Sequence, residues 1–287
     1  MLRRPSHALI AAALSAVAAT LVYVAAFGPA TGRWLDGAGL DGFIALRTPF
    51  TQPIAWTVAH AADPAPFVVL GAALCAIALA RGRPRVALMI PVVLAAANVT
   101  TQVLKPALAD PRPWAFLAGD HIPPASWPSG HATASMSLAL CAIVAVGPRA
   151  RPWVAAVGAV FAVAVSYALL ALAWHFPSDI LGGYLVAATW TMLGVAALRA
   201  ADARFRAGAG RERAAGVARA GRETRRALIP AAVVACAALA AAAALALARP
   251  HAAATFASEH TVALAGVAAI GMFGLALAAG LAVALRR

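Results

Sequence analysis

Three short stretches carry residue types that could do chemistry together. The first is Lys105-Pro-Ala-Leu-Ala-Asp110-Pro-Arg112-Pro113. The second is Pro128-Ser129-Gly130-His131, and the third is Trp174-His175-Phe-Pro177-Ser178-Asp179. A Ser-Gly turn opening a helix turns backbone N–H groups outward at the positive end of the helix dipole, where an anion binds readily. Gly130 lets the anion approach the backbone closely. Lys105 and Arg112 add fixed positive charge, and an Arg can hold two phosphate oxygens at once. His175 and Asp179, four residues apart, are neighbours if the chain turns there, and the carboxylate would then fix the imidazole tautomer and stabilise its cation. His131 supplies a second imidazole. The set reads as a phosphate site with a nucleophile, its orienting acid and a proton donor. Taken singly, each residue has a plainer reading: Lys105 and Arg112 as interfacial anchors, Trp114, Trp127 and Trp174 as an aromatic belt, and His175 as a polar residue at a helix end.

The elements that must position these residues are membrane helices. Of 287 residues, 63% are hydrophobic and 11% charged, against roughly 25% charged in a soluble domain. That balance excludes a soluble enzyme, a disordered chain and a secreted disulfide scaffold. Apolar runs at 8–27, 65–80, 86–104, 131–147, 152–174, 179–198, 228–248 and 261–285 predict an all-α, polytopic helix bundle, because lipid tolerates only helices or closed barrels. The first run, about twenty residues long, exceeds a typical signal-peptide core of roughly 7–15 and is expected to be retained. Residues 28–64 read as one or two short interfacial helices or as a packed loop. Residues 199–227, rich in Arg, Ala and Gly, read as a basic linker beside anionic head groups. Cys75, Cys141 and Cys236 lie within apolar runs and read as small packing residues.

The formal charge of +13 is distributed as topogenic charge, and no nucleic-acid partner is expected. Only Arg33, Arg47, Lys105, Arg112 and Arg249 fall on one side of the expected spans, while the rest of the 23 basic residues fall on the other. The positive-inside rule then predicts both termini in the cytoplasm and the chemistry-bearing connectors on the outer face of a bacterial-type inner membrane.

At these connectors the sequence resembles the type-2 phosphatidic acid phosphatase superfamily of membrane lipid phosphatases. That family's pattern is Lys-x6-Arg-Pro, Pro-Ser-Gly-His and Ser-Arg-x5-His-x3-Asp. Lys105 to Arg112-Pro113 and Pro128 to His131 match the first two parts, and His175 with Asp179 matches the end of the third. The resemblance implies a six-span core over 1–198, with the linker 199–227 and two additional helices over 228–287 outside it. It implies that His175 attacks phosphorus, Asp179 orients it, and His131 protonates the leaving lipid oxygen. Lys105, Arg112, Ser129 and Gly130 would hold the phosphoryl oxygens, with no metal or other cofactor. The implied partners are a lipid phosphate substrate, such as undecaprenyl pyrophosphate, phosphatidate or phosphatidylglycerophosphate, and the surrounding membrane lipids. Soluble vanadium haloperoxidases share the motif, but an embedded chain does not fit them.

The chain departs from the pattern at one place. Ala168 and Leu169 stand where the family has Ser-Arg, and no Arg or Lys occurs between Arg151 and Arg199. Loss of one phosphate-binding cation costs about 10²–10³ in rate by analogy with an oxyanion-hole donor. His60 and His121, both expected on the outer side, read either as substitutes for that cation or as ordinary interfacial histidines, the plainer reading. The competing expectation is a catalytically weak relative that binds a head group or a membrane partner. A transporter would need ionisable residues at mid-span, which spans three to eight lack.

Overall fold

The computed structural model describes residues 4–112, 122–206 and 220–285. The stretch 113–121, with Pro113, Trp114 and His121, lies outside the described residues. Eleven α-helices form among the described residues: α1 (Pro5–Phe27), α2 (Ala30–Ile44), α3 (Thr51–His60), α4 (Pro64–Ala80), α5 (Pro84–Ala107), α6 (Gly130–Ala145), α7 (Arg151–Ala171), α8 (Pro177–Arg206), α9 (Ala220–Ala248), α10 (Pro250–Glu259) and α11 (Thr261–Ala284). No strand is present among these residues. Proline begins or nearly begins α1, α4, α5, α7, α8 and α10; there its missing N–H costs no bond and its fixed φ suits the first turn.

Each of the eight apolar runs is a helix. Six helices, α1, α5, α7, α8, the part of α9 from Leu228, and α11, are alone long and apolar enough to cross a membrane. The other two, α4 with 17 residues and α6 with 16, do not meet those limits alone. α4 meets those limits only together with α3, across a bend of 53°. α6 has 16 residues, about 24 Å at 1.5 Å per residue, against a hydrocarbon core of about 30 Å. α6 is also the most enclosed helix, packed by α4, α5, α7, α8 and α11, with every residue from Ala132 to Cys141 buried.

By contrast, α1 turns Leu9, Ile10, Leu14, Val17 and Leu21 outward, each at least half exposed, as a lipid-facing helix should. Residues 28–64 form α2 and α3. α2 buries one face, Asp36, Leu40 and Phe43 included, against α7, α8 and α11. The basic segment is partly helical: α8 runs on to Arg206 and α9 begins at Ala220, in keeping with the helix propensity of Ala and Arg. The C-terminal ends of α1, α5 and α7 and the N-terminal ends of α6 and α8 meet at one end of the bundle. All three chemistry-bearing stretches sit there.

Candidate active site

The third stretch owes its shape to how α7 stops and α8 starts. α7 closes with Trp174 N–H donating to Leu169 O at 2.9 Å and Ala173 N–H to Leu170 O at 3.0 Å. Ala173 is left-handed, with φ of 56°. This is the Schellman arrangement. It reverses the chain so that His175 lies two residues before Pro177, where α8 begins. Asp179, in the first turn of α8, reaches back to accept Phe176 N–H at 3.0 Å and meets His175 Nδ1 at 3.2 Å. One carboxylate thus caps a helix and orients an imidazole, and the expected His175–Asp179 pair is formed. Asp179 is fully buried, and His175 nearly so.

The second stretch is docked on the third. Ser129 N–H donates to Asp179 O at 2.9 Å, and Ser129 Oγ caps α6 by accepting Ala132 N–H at 3.3 Å. Two glycines of α8 permit this docking. A Cβ on Gly183 would stand 2.7 Å from Ser129 O, and one on Gly182 would stand 2.7 Å from the Trp127 ring. On the other flank, a Cβ on Gly130 would lie 3.9 Å from Lys105 Nζ. The ammonium group therefore faces the opening turn of α6, where the backbone N–H groups converge.

Arg112 sits between two aromatic rings, 4.2 Å from the Phe27 centroid and 4.1 Å from that of Phe176. Its side chain is 7% exposed. Nη1 donates to Asp36 Oδ2 at 2.7 Å and Nη2 to Asp179 Oδ1. Nε is buried and makes no hydrogen bond among the described residues. Asp36 also accepts Ser178 N–H at 2.8 Å and Ser178 Oγ–H at 2.6 Å, so it caps α8 from another element. Burial raises the Asp36 carboxyl from 3.8 to about 6, against the opposing pull of Arg112.

His131 pairs with Asp63, Nε2 to Oδ1 at 2.9 Å, at a wetter position where the two side chains are 29% and 35% exposed. Trp174 stands beside it, with ring centroids 6.0 Å apart. His60 packs on Trp174 at 5.5 Å and approaches Asp63 at 4.0 Å, so it lies at the same mouth. Burial lowers the pKa of His175; hydrogen bonding to Asp179 opposes this, and the charges of Lys105 and His131 reinforce it. With Nδ1–H donated to Asp179, Nε2 carries the lone pair.

All seven residues singled out from the sequence, Lys105, Arg112, Ser129, Gly130, His131, His175 and Asp179, gather at this end of the bundle. Asp36 and Asp63 are the two the sequence reading left out. Leu169 is fully buried. At that end of α7, Arg47 Nε donates to Ala171 O at 3.0 Å.

An all-helical membrane bundle with a buried His–Asp pair beside Arg and Lys is the class that fold and site define. Residues 86–203, from α5 through most of α8, match the model of the PAP2 superfamily. The structure is similar to that of a transmembrane PAP2-type phosphatidylglycerolphosphate phosphatase from Bacillus subtilis. The TM-score is 0.52 at 20% identity, over 71% of this chain and 99% of that one. No curated protein matches the chain.

Proposed function

We propose that this membrane phosphatase-fold protein hydrolyses the phosphate or pyrophosphate monoester of a lipid through a phosphohistidine on His175. The observation that carries the reading is the buried His175–Asp179 pair, placed beside Arg112 and joined through Ser129 to the turn that faces Lys105. His175 Nε2 attacks phosphorus as the bond to the lipid oxygen breaks, and His131 gives that oxygen its proton. Water then attacks the phosphohistidine, returns a proton to His131, and releases inorganic phosphate. Lys105, the turn at Ser129-Gly130 and Arg112 Nε neutralise the phosphoryl oxygens, so charge neutralisation is assigned to the protein and not to a metal ion. Asp179 holds the imidazole, and Asp63 does the same for His131. The substrate class is the lipid phosphates named above. The site opens on the outer face, and both termini are cytoplasmic.

A specific observation favours a second reading, a weak or inactive relative that binds head groups. Three carboxylates, Asp36, Asp63 and Asp179, stand around two cations, Lys105 and Arg112, and Leu169 brings no third. One experiment separates the two readings. Purified protein is assayed for phosphate released from a panel of lipid phosphates, with acid-labile trapping of radiolabelled phosphate on the protein. Wild type should release and trap phosphate, and His175→Ala should do neither while remaining folded. Release that persists in His175→Ala would sink the phosphohistidine. Absence of release in wild type, with head-group binding retained, would establish the second reading.

A further inference from the structure

The end of the bundle opposite the candidate active site holds a second polar cavity, of about 560 Å³. Arg83, Arg85, Arg151 and Arg199 line it, with Asp202 as the single acid among the lining residues. Two of these arginines donate to backbone carbonyls. Arg83 Nη1 donates to Val144 O at 2.6 Å, at the end of α6, and Arg151 Nη1 donates to Leu285 O at 2.6 Å, just past α11. Such bonds fix a guanidinium without cancelling its charge. Arg85 and Asp202 form an ion pair at 3.5 Å, with both side chains more than 40% exposed.

Against this cavity runs a second, apolar one of about 440 Å³, a groove between α5 and α8 lined by Leu88, Val92, Trp190 and Leu193. The two share Arg85 and Leu198. A cluster of cations therefore meets an apolar slot.

We propose that the pair binds one anionic phospholipid of the leaflet opposite the candidate active site, its phosphate among the arginines and an acyl chain along the α5–α8 groove. Charge complementarity selects this occupant. A zwitterionic lipid fits the groove but brings no net charge to four guanidiniums. A soluble phosphate satisfies the arginines but leaves the groove unused. Basic pockets between membrane helices bind anionic head groups on the same physical grounds.

The test is native mass spectrometry of the full chain, delipidated in detergent and titrated with dioleoyl phosphatidylglycerol or dioleoyl phosphatidylcholine. Wild type should retain phosphatidylglycerol in preference. Arg85→Gln with Arg199→Gln should weaken that retention about 30-fold, at the usual gain per basic residue near anionic lipid. Val92→Trp fills the groove without touching charge and should weaken it too, which keeps the proposal testable if the double variant fails to fold. Lys105→Gln, at the other end of the bundle, should leave it unchanged. Equal retention of the two lipids, or loss only in Lys105→Gln, would overturn the site. So would displacement by an equimolar amount of sn-glycerol 3-phosphate, which would reveal a soluble-anion site.

Discussion

Arg112, flat between Phe27 and Phe176 and bonded to a carboxylate at each Nη, shows how closely opposed charges balance at this site. A further guanidinium should tip that balance toward phosphate. In Leu169→Arg the new charge enters a position as buried as Asp179, and a buried charge without a partner is strongly destabilising. The variant should therefore show a lower Tm in plain buffer, regain it in inorganic phosphate, and have a raised kcat/KM on a lipid phosphate. A folded variant with unchanged kcat/KM would mean that the site does not lack a cation. The His175 imidazole gives a pH prediction. Burial holds its pKa below 6.5 and Asp179 opposes that shift, so the neutral form persists into mild acid. The acid limb of the kcat/KM profile should lie below the ordinary histidine value of about 6.5. In Asp179→Asn it should move lower still, since an amide no longer favours the imidazolium; an upward move would refute the assignment. The seven candidate residues were legible because their chemistry is local, three motifs each within a few residues of a helix end. Asp36 and Asp63 were not. Asp36 meets Ser178 across 142 positions and Asp63 meets His131 across 68, and nothing local marks either. Asp63 before Pro64 reads as an ordinary helix start.

At the scale of the element, the turn between α7 and α8 is the most constrained feature. Ala173 is left-handed, and an L-residue there costs about 1–2 kcal/mol. Its methyl group is buried, with a burial worth about 0.8 kcal/mol. In Ala173→Gly these two effects nearly cancel, and stability should stay within about 1 kcal/mol of wild type. Ala173→Val adds β-branching where the backbone tolerates it least and crowds a closed site. It should cost about 2 kcal/mol or more and displace the His175 loop. Denaturation of both variants in detergent decides the point, and a Val variant as stable as the Gly variant would refute the strained turn. Helices were legible as apolar runs with prolines at their starts. Short or bent elements were less so: α10, the 53° break between α3 and α4, and the 16-residue length of α6. Hydropathy measures how apolar a stretch is, and a helix enclosed by five others can be apolar without having to span lipid.

Across the whole molecule, both ends of the described chain fall at the same face. α1 places Phe27 on Arg112, so Pro5 lies at the far end, and Leu285 O is bonded to Arg151 in the basic cavity. With the charge asymmetry, this predicts that reporters fused at either terminus are active only in their cytoplasmic form; opposite readings at the two ends would refute the shared face. Charge asymmetry gives an expectation of sidedness, but nothing in the sequence names the partners of α1 and α11. Helices apolar all round carry no stripe to say which face is inward. α1 lies along α8, and α11 lies along α7 and α2, where Tyr167 Oη–H reaches Val267 O at 2.6 Å. For a lipid substrate this arrangement sets a direction of travel. Among the described residues, the Asp63–His131 pair is an exposed flank of the site, its side chains 35% and 29% exposed. Beside it, α3 and α4 turn Ile54, Trp56, Val68 and Val69 outward, each more than half exposed. A two-tailed molecule would arrive sideways from the bilayer past the α3–α4 break, its tails trailing along that apolar ramp while only its head crosses the doorway.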